Sequence, residues 1–564
     1  MTFGTAKLRG LLLAGTFNVL ANYLLRLADS AVAGNLIGAD ALAGVNLVAP
    51  LVSGVTFIAA LVGSGTVTNY QLAMGRLDRL RARQFFTQGL WSALAFGGLF
   101  ALAIAFGGCL FLDRLGAGPV VTGHAVGYLR WFVPVPPVEC VSMLLAFAVI
   151  ADGDSRLCMG AFALNFAVKL AVSVAGVKLG MGVGACALGT LCSDLACIAV
   201  LAVHFVRKCN TLRLAWHFSV LDSWRIAVAS FGDAASYLCD SLLFLFLNFF
   251  AILRFGPDLL PVVAVAAALW GFLEIFNGVG NAIQPLVTVY FGEGNAAPVH
   301  AVMKTAAGVA VAEGLVLAAL FLAWPGLPAR TVGIADPGLL AASSVAVRSM
   351  CVGFVALALA GLFNSYYMFV ERPLLAGIVT FLGYLVFPVA CIAAGSLTGV
   401  TGMWLGFGIG PVAALVTIGL WIVSVSGRRA FPLLLPEGMG RGKTVFDLRL
   451  DEREIAAVSE KVGALPGVPM RAALMVEEVF MVVRERAGGR RLLGEVTVEV
   501  GEKDVSLTLR DDGEIFDITD ADARISSLRG FLVASVMERQ LQRLNFVTSG
   551  FNRNIFKFDR RAAG

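Results

Sequence analysis

The sequence predicts an all-α polytopic membrane protein with twelve transmembrane helices, arranged as two six-helix repeats, followed by a C-terminal α+β sandwich domain. Three observations predict this fold class. The 564 residues are 58% hydrophobic and only 14% charged, whereas soluble domains are roughly 45–50% apolar and 25% charged. Apolar segments of about 20 residues recur along most of the chain. The charged side chains are concentrated at the end, with 43 of 81 in residues 425–564.

Twelve apolar segments are each long enough to cross a hydrocarbon core of about 30 Å. Basic residues follow the second, sixth and last segments, and positively charged loops stay on the cytoplasmic side. We therefore expect a protein of the plasma membrane with both termini cytoplasmic, and we interpret the net charge of +5 as basic loops, with no nucleic-acid partner. The predicted spans are 10–33, 41–64, 85–112, 124–150, 158–179, 183–206, 225–254, 260–290, 301–324, 340–369, 374–396 and 399–424.

Short sequence patterns recur at a shift of 217 or 218 residues. This internal repeat predicts two six-helix lobes, residues 1–215 and 216–426. Parallel repeats of this kind place a substrate cavity between the lobes, near the middle of the membrane. The matching pairs are Gly38 and Gly256, Asp40 and Asp258, Gly75 and Gly292, Arg130 and Arg348, and Gly184 and Gly402.

The C-terminal part has the pattern of a soluble domain. A Gly- and Arg-rich linker, residues 427–445, leads into residues 446–564, which we call the tail. The periodicity predicts an early strand in TVFDLRL and helices over 451–463 and 469–486. Strands in GEVTVEV and VSLTLRD, a helix over 528–543 and a last strand in NRNIFKF follow. About 115 residues are enough for a separate core.

The membrane part resembles the MATE family of transporters over roughly residues 5–425. The resemblance is carried by LADSAVAGNLIGADALAGVNLVAP, GSGTVTNYQLAMGRLD, ADGDSRLCMGAFALNFAVKL followed by GMGVGACALGT, and GNAIQPLVTVYFGEGN. It implies a secondary antiporter that expels amphipathic, often cationic compounds in exchange for Na⁺ or H⁺ by rocking of two lobes. The same superfamily contains lipid-linked oligosaccharide flippases, so this alternative cargo stays open.

The resemblance also implies a cation site in the first lobe. Similar transporters keep an Asp on the first span, an Asn and an Asp one turn apart on the fifth, and a Thr at the start of the sixth. Asp29, Asn165 and Thr190 match three of these positions, but Lys169 stands where the second Asp is expected. An ionisable group inside a span costs roughly 2.5–3.5 kcal/mol on insertion scales and needs a partner or a wet cavity.

Lys169 therefore leads to a specific hypothesis. Residues four apart lie on one face of a helix, so Lys169 and Asn165 both face the side that meets Asp29. We predict a Lys169–Asp29 salt bridge that takes the place of Na⁺. The competing interpretations are that Lys169 extends to the headgroups and that Asp29 pairs with Arg26. Other carboxylates within spans are interpreted as contacts between helices: Asp194, Asp240, Glu274 and Glu313.

The tail resembles the histidine-kinase-type ATPase domain of anti-sigma-factor kinases, over about 446–560. The motifs are ALMVEEVFMVV, LRDDGEIFD and SLRGFLV. In similar domains an Asn four residues after the catalytic Glu holds Mg²⁺, but here that position is Val482, which offers no oxygen ligand. We therefore expect a retained fold without turnover, while weak nucleotide binding and hydrolysis stay open as alternatives. The residues that match the nucleotide site are Glu478, Asp511, Gly513, Arg529 and Gly530.

Together these observations predict a secondary transporter with a regulatory tail. We expect no catalytic residue, no metal site and no cofactor other than a coupling ion, Na⁺ or H⁺. Binding of ATP–Mg²⁺ by the tail stays open as an alternative. The expected partners are an amphipathic or lipid-like small molecule, the bilayer and a cytoplasmic regulatory protein on the tail. A membrane receptor that signals through the tail is the first alternative. An ATPase or kinase on a membrane anchor is the second, although a simple anchor would not need twelve spans.

Overall fold

Among the described residues, the membrane part contains seventeen α-helices. Apolar segments become helical in a membrane because a helix satisfies its own backbone hydrogen bonds. The computed structural model describes residues 2–76, 78–114, 119–207, 210–256, 259–331, 336–427, 431–488, 490–513 and 551–559. We call α1–α7 the first half and α8–α17 the second half. The helices are α1 Phe3–Leu36, α2 Ala39–Gly75, α3 Arg79–Arg114, α4 Pro119–Phe132, α5 Val135–Ala151, α6 Ser155–Lys178, α7 Gly184–Ala202, α8 Val220–Phe255, α9 Leu260–Leu273, α10 Asn277–Gly292, α11 Ala296–Ala323, α12 Leu327–Thr331, α13 Pro337–Met350, α14 Phe354–Phe369, α15 Pro373–Phe381, α16 Phe387–Gly395 and α17 Val400–Ser426.

Ten helices among the described residues are long and apolar enough to cross a membrane, some of them joined from two shorter helices. An eleventh span is formed if α4 and α5 are taken together, with a bend of 57° between them. Pro134, Pro136 and Pro137 lie at this bend, and proline removes a backbone donor and breaks an α-helix. The fold is thus a mostly helical polytopic membrane fold, while the predicted number of twelve spans is not confirmed. The predicted first span lies in α1, which is not among the ten.

The two halves contact each other along α2 and α10. The side chain of Gln284 donates to Thr68 Oγ1 over 3.1 Å, and Thr288 donates to Gln71 Oε1 over 3.0 Å. Farther along, a Cβ on Gly75 would lie 2.9 Å from Gly292 Cα, so only glycine allows this approach. We call this row of contacts the seam. The seam ends where α2 and α10 end, and we call this end of the membrane part the tail side.

The tail forms an antiparallel sheet in the order β1-β2-β3-β4 with two helices on one face. Several predicted elements are present, including the last strand, whereas the predicted helix over 528–543 lies outside the described residues. Asp451 caps α18, since its Oδ1 accepts from Glu454 N over 2.8 Å. These elements do not by themselves confirm the predicted ATPase-like domain. Their bounds are β1 Lys443–Arg449, α18 Glu452–Gly463, α19 Met470–Arg486, β2 Leu493–Val500, β3 Asp504–Asp511 and β4 Asn552–Asp559.

Candidate functional site

A cavity of about 380 Å³ lies inside the membrane part. Most of its lining comes from the first half, and α8 and α9 of the second half complete it. A rise of about 1.5 Å per residue places Asp29 roughly 39 Å along α1 from Phe3, so the cavity is remote from the tail side. All four residues of the predicted cation site line it: Asp29, Asn165, Lys169 and Thr190.

Lys169 on α6 and Asp29 on α1 form a buried ion pair. Lys169 Nζ lies 3.1 Å from Asp29 Oδ1, and the two residues are 4% and 7% exposed. The hydroxyl of Tyr128 on α4 donates to Asp29 Oδ2 over 3.1 Å. The predicted Lys169–Asp29 contact is confirmed. Three helices thus converge on one carboxylate, which is held by an ammonium and a hydroxyl group.

The competing interpretations of these two residues have different outcomes. The alternative interpretation, that Lys169 extends to the headgroups, is wrong, because its amine is buried against Asp29. The side chain of Arg26, the other proposed partner of Asp29, lies outside the described residues. Whether the pair serves ion coupling is a separate matter and stays a prediction.

Asn165 on α6 forms a hydrogen bond with a carboxylate on a neighbouring helix. Its Nδ2 donates to Asp194 Oδ1 on α7 over 3.0 Å, so a carboxylate from another helix lies next to Asn165. Thr190 lies one turn before Asp194 on α7, and its hydroxyl donates to Cys186 O over 3.3 Å. Asp194 was interpreted from the sequence as a contact between helices. It makes that contact and also lines the cavity.

Two further carboxylates line the cavity. Glu139 on α5 accepts from Thr56 on α2 over 3.3 Å. The sequence analysis did not consider Glu139, although a carboxylate in the apolar stretch VPPVECVSMLLAF was a signal. Glu274 lies in a short 3-10 turn between α9 and α10 and brings a carboxylate from the second half. Among the described lining residues, four carboxylates therefore face one ammonium.

The remaining intramembrane carboxylates lie elsewhere. Asp240 on α8 accepts from Trp270 Nε1 on α9 over 2.8 Å, which is the predicted contact between helices. Neither Asp240 nor Glu313 on α11 is part of the described cavity lining. The acidic character of the cavity therefore comes from some of the intramembrane carboxylates and not from all of them.

In the tail, three of the five residues assigned to a nucleotide site are described. Asp511 Oδ1 accepts from Asn552 Nδ2 over 2.7 Å and from Gly513 N over 3.0 Å. A Cβ on Gly513 would lie 3.0 Å from Val483 Cγ1, so this turn packs against α19, the helix that carries buried Glu478. Burial raises the pKa of Asp511 to about 7. Arg529 and Gly530 lie outside the described residues.

The comparisons with known proteins agree with the helical fold. Residues 16–175 match the MatE family model. An outward-facing multidrug resistance MATE family transporter of the MOP superfamily has a TM-score of 0.69 and 20% identity, over 75% of this chain and 97% of its own. A MATE structure in complex with MaL6 also has a TM-score of 0.69 and 20% identity, over 75% and 98% of the two chains.

A third similar structure is a MOP superfamily transporter from Pyrococcus furiosus, described as having a binding pocket of reverse polarity that suggests a different function. It has a TM-score of 0.69 and 20% identity, over 74% of this chain and 95% of its own. No curated protein matches this chain. The chain is therefore a polytopic membrane protein with the fold of the MATE transporters, and its residues 16–175 are similar to the MatE family.

Proposed function

We propose that this protein is a secondary transporter that moves amphipathic cations through the cavity of the membrane part. The observation that carries the proposal is the lining of the cavity, where four carboxylates outnumber one ammonium among the described residues. Charges inside the membrane are costly and mark the paths of substrates and ions. A lining with this net negative charge attracts a cationic cargo.

The apolar lining supports the amphipathic nature of the cargo. Aromatic side chains line the same cavity as the acidic groups, and such rings offer both apolar surface and a negative face to a cation. Ligand cavities typically combine such surface with a few polar groups that fix orientation. The aromatic residues are Tyr23, Tyr128, Phe132, Phe147, Phe162 and Tyr237.

Transport requires that the cavity open to each side in turn. The internal repeat supports two lobes, residues 1–215 and 216–426. In this arrangement the ten spanning helices, the bent pair α4–α5 and α1 together make twelve spans. Rocking of one lobe against the other then alternates access. Arginines at the ends of the second and sixth predicted spans support a cytoplasmic location of the tail side.

The buried Lys169–Asp29 pair defines the coupling mode that we propose. An ammonium 3.1 Å from Asp29 occupies the place where a Na⁺ ion would neutralise this carboxylate. We infer that the first lobe holds no Na⁺ and that coupling proceeds through protonation of this pair. The ion that drives transport is then H⁺.

The tail acts as a regulatory domain in this proposal. Val482 is buried on α19 and offers no ligand to Mg²⁺, which supports a tail without useful ATP hydrolysis. A cytoplasmic protein that binds the tail would then control transport, and no enzymatic step is required.

Exchange of a fluorescent amphipathic cation in proteoliposomes tests the proposed function. The purified full chain should exchange labelled for unlabelled cation across the membrane faster than empty liposomes. The variant Glu313→Gln, which changes a carboxylate outside the described lining, should exchange at the same rate. Saturable binding without exchange would instead identify a receptor, and exchange of a lipid-linked oligosaccharide but not of the cation would identify a flippase.

A further inference from the structure

One face of the tail sheet is covered by the membrane part. Along β2, Val496 and Val498 pack into the core of the tail, while Glu495 and Thr497 point to the opposite face. This alternation follows from the two-residue period of a strand. Glu495 and Thr497 are polar yet buried, whereas Glu499 farther along the same face is exposed, which indicates that another surface covers part of this face.

Three charged residues form a row across this covered face. Glu495, Arg510 and Arg553 are direct neighbours on β2, β3 and β4. Each is at most 2% exposed. Arg510 pairs with Glu495 within the sheet and with Glu293 in the membrane part. Buried charges of this kind need compact, complete pairing, because an uncompensated charge away from water is costly.

Glu293 at the end of α10 forms ion pairs with both arginines of the row. Its Oε1 lies 2.6 Å from Arg553 Nη2, and its Oε2 pairs with Arg510. Burial alone would raise the pKa of Glu293, but the two guanidinium groups hold it below its usual value. One turn earlier, Tyr290 donates to Glu495 Oε2 over 2.9 Å. The second half of the membrane part is thus bound to the sheet by ionic and neutral hydrogen bonds.

Arg553 also reaches the first half. Its Nη1 donates to Met74 O over 3.3 Å and its Nη2 to Gly75 O over 3.5 Å. These carbonyl oxygens end α2, where the helix dipole favours a positive charge. One guanidinium therefore bridges the end of α2 and the end of α10, at the point where Gly75 and Gly292 close the seam.

The start of α1 also contacts the tail. Phe3 N donates to Asp447 Oδ1 on β1 over 2.6 Å, and the rings of Phe3 and Phe551 meet edge to face at 5.3 Å. A second link between the halves on the tail side is the pair Arg76–Glu371, at 2.7 Å. That pair is about half exposed, and exposed pairs contribute little. The buried row is therefore a stronger connection than Arg76–Glu371, and the pair Arg81–Asp222, at 2.6 Å between α3 and α8, is a third link between the halves.

We propose that the covered face of the tail sheet is a clamp that holds α2 and α10 together and so keeps the tail side of the transporter closed. This inference rests on the proposed function, because it assigns a regulatory role to the tail of a two-sided transporter. Opening the tail side separates α2 from α10, and Arg553 then loses Glu293 or the α2 carbonyl groups. The sheet must move before that side opens, and a ligand that draws the tail away favours opening.

The distance between the halves on the tail side tests the clamp directly. Spin labels are attached through non-canonical amino acids at Leu80 and His300, exposed positions at the starts of α3 and α11, so the native cysteines stay in place. Pulsed electron paramagnetic resonance then gives the distribution of distances between the two labels in the full chain without cargo. The two test variants are Arg553→Met and Glu293→Gln. Glu293 lies outside the tail, so its variant leaves the core of the tail intact.

Arg484→Met is the matched control. Arg484 belongs to the tail and pairs with Glu452 on its surface over 2.5 Å, away from the clamp. We expect one short distance in the unaltered protein and in this control. Both test variants should raise the ratio of long to short distances by about 5- to 150-fold, the usual range for coupling between sites. An unchanged distribution in both test variants, or an equal change in Arg484→Met, would overturn the clamp. Because no flux is measured, a failure of the proposed transport leaves this result interpretable.

Discussion

The ammonium of Lys169 on α6 lies 3.1 Å from the carboxylate of Asp29 on α1, and both are buried. Each charge lowers the free-energy cost of burying the other. Coulomb attraction at this separation offsets part of the desolvation of both charges. The pair therefore couples two helices that contribute to the same cavity, and removing either member has consequences for stability and for ion binding.

Loss of the Lys169 charge should destabilise the protein. The variant Lys169→Met leaves Asp29 buried without its cation, at a cost of roughly 3–5 kcal/mol. Thermal unfolding in detergent should show a clearly lower midpoint than for Lys178→Met, which removes an exposed lysine at the end of the same helix. The double variant Asp29→Asn with Lys169→Met should recover much of the loss. Equal midpoints for Lys169→Met and Lys178→Met would contradict an important buried pair.

Replacing the ammonium by a carboxylate should create a Na⁺ site. In Lys169→Asp, two carboxylates and Asn165 would offer oxygen atoms to a hard cation. Ligands that bind only the folded protein stabilise it, by about 2.7 kcal/mol at a hundredfold excess over the dissociation constant. The unfolding temperature of this variant should rise with Na⁺ at constant ionic strength. The neutral control Lys169→Asn and the unaltered protein should respond to Na⁺ and to choline alike, and a Na⁺-specific rise in the unaltered protein would show that the pair does not replace the ion.

Glu274 should contribute to the binding of cationic cargo from the second half. The variant Glu274→Gln should weaken binding of an amphipathic cation at least about tenfold, because charge-assisted hydrogen bonds contribute about 1.5–3 kcal/mol. Binding of a neutral analogue should change little. Glu313→Gln is the matched control, since Glu313 is absent from the described lining. Fluorescence anisotropy in detergent gives all three affinities, and equal weakening by both variants would argue against a specific role.

The stability of the tail should depend on pH through Asp511. Burial raises its pKa to about 7, so the folded tail holds this proton more tightly than the unfolded chain. The resulting stabilisation is complete below the unfolded pKa and is lost as the pH rises through about 7, by roughly 1–4 kcal/mol. Hydrogen exchange of tail peptides, corrected for intrinsic rates, should show weaker protection at pH 8 than at pH 5.5. Asp511→Asn should remove this difference, and a pH dependence that persists in the variant would exclude Asp511 as its source.

ATP turnover by the tail should be absent because Val482 stands where an Mg²⁺ ligand is expected. The full chain should show no Mg²⁺-dependent ATPase activity above that of the variant Glu478→Gln. Val482→Asn restores an amide oxygen next to Glu478 and should raise the affinity for Mg·ATP, measured by calorimetry. Micromolar Mg·ATP binding by the unaltered protein would contradict this interpretation and make the tail a nucleotide-responsive domain.

Local patterns in the sequence were sufficient for several features of the molecule. Apolar segments identified the helices, strand alternation identified β2, and four-residue spacing placed Lys169 on the face of Asn165. The ion pair could be predicted because one residue departed from an otherwise matching pattern. The bend between α4 and α5 had a visible cause in the prolines, but its angle of 57° depends on packing.

Other features depend on residues that are far apart in the sequence. Asp194 meets Asn165 across two helices, and no spacing rule connects positions 29 residues apart on different helices. The clamp is harder still to predict, because Arg553 meets carbonyl groups 478 and 479 residues earlier. The alternation of polar and apolar residues along β2 is the same as in a sheet whose polar residues face water. Only the folded arrangement reveals that the membrane part covers them.

Flux driven by a defined ion gradient tests the proposed coupling most directly. Proteoliposomes containing the full chain are loaded with a fluorescent amphipathic cation and exposed either to a Na⁺ gradient at equal pH or to a pH gradient without Na⁺. If Lys169 takes the place of Na⁺, the pH gradient should drive efflux and the Na⁺ gradient should not, while Lys169→Asp should respond to Na⁺. Efflux from the unaltered protein driven by the Na⁺ gradient alone would contradict the account.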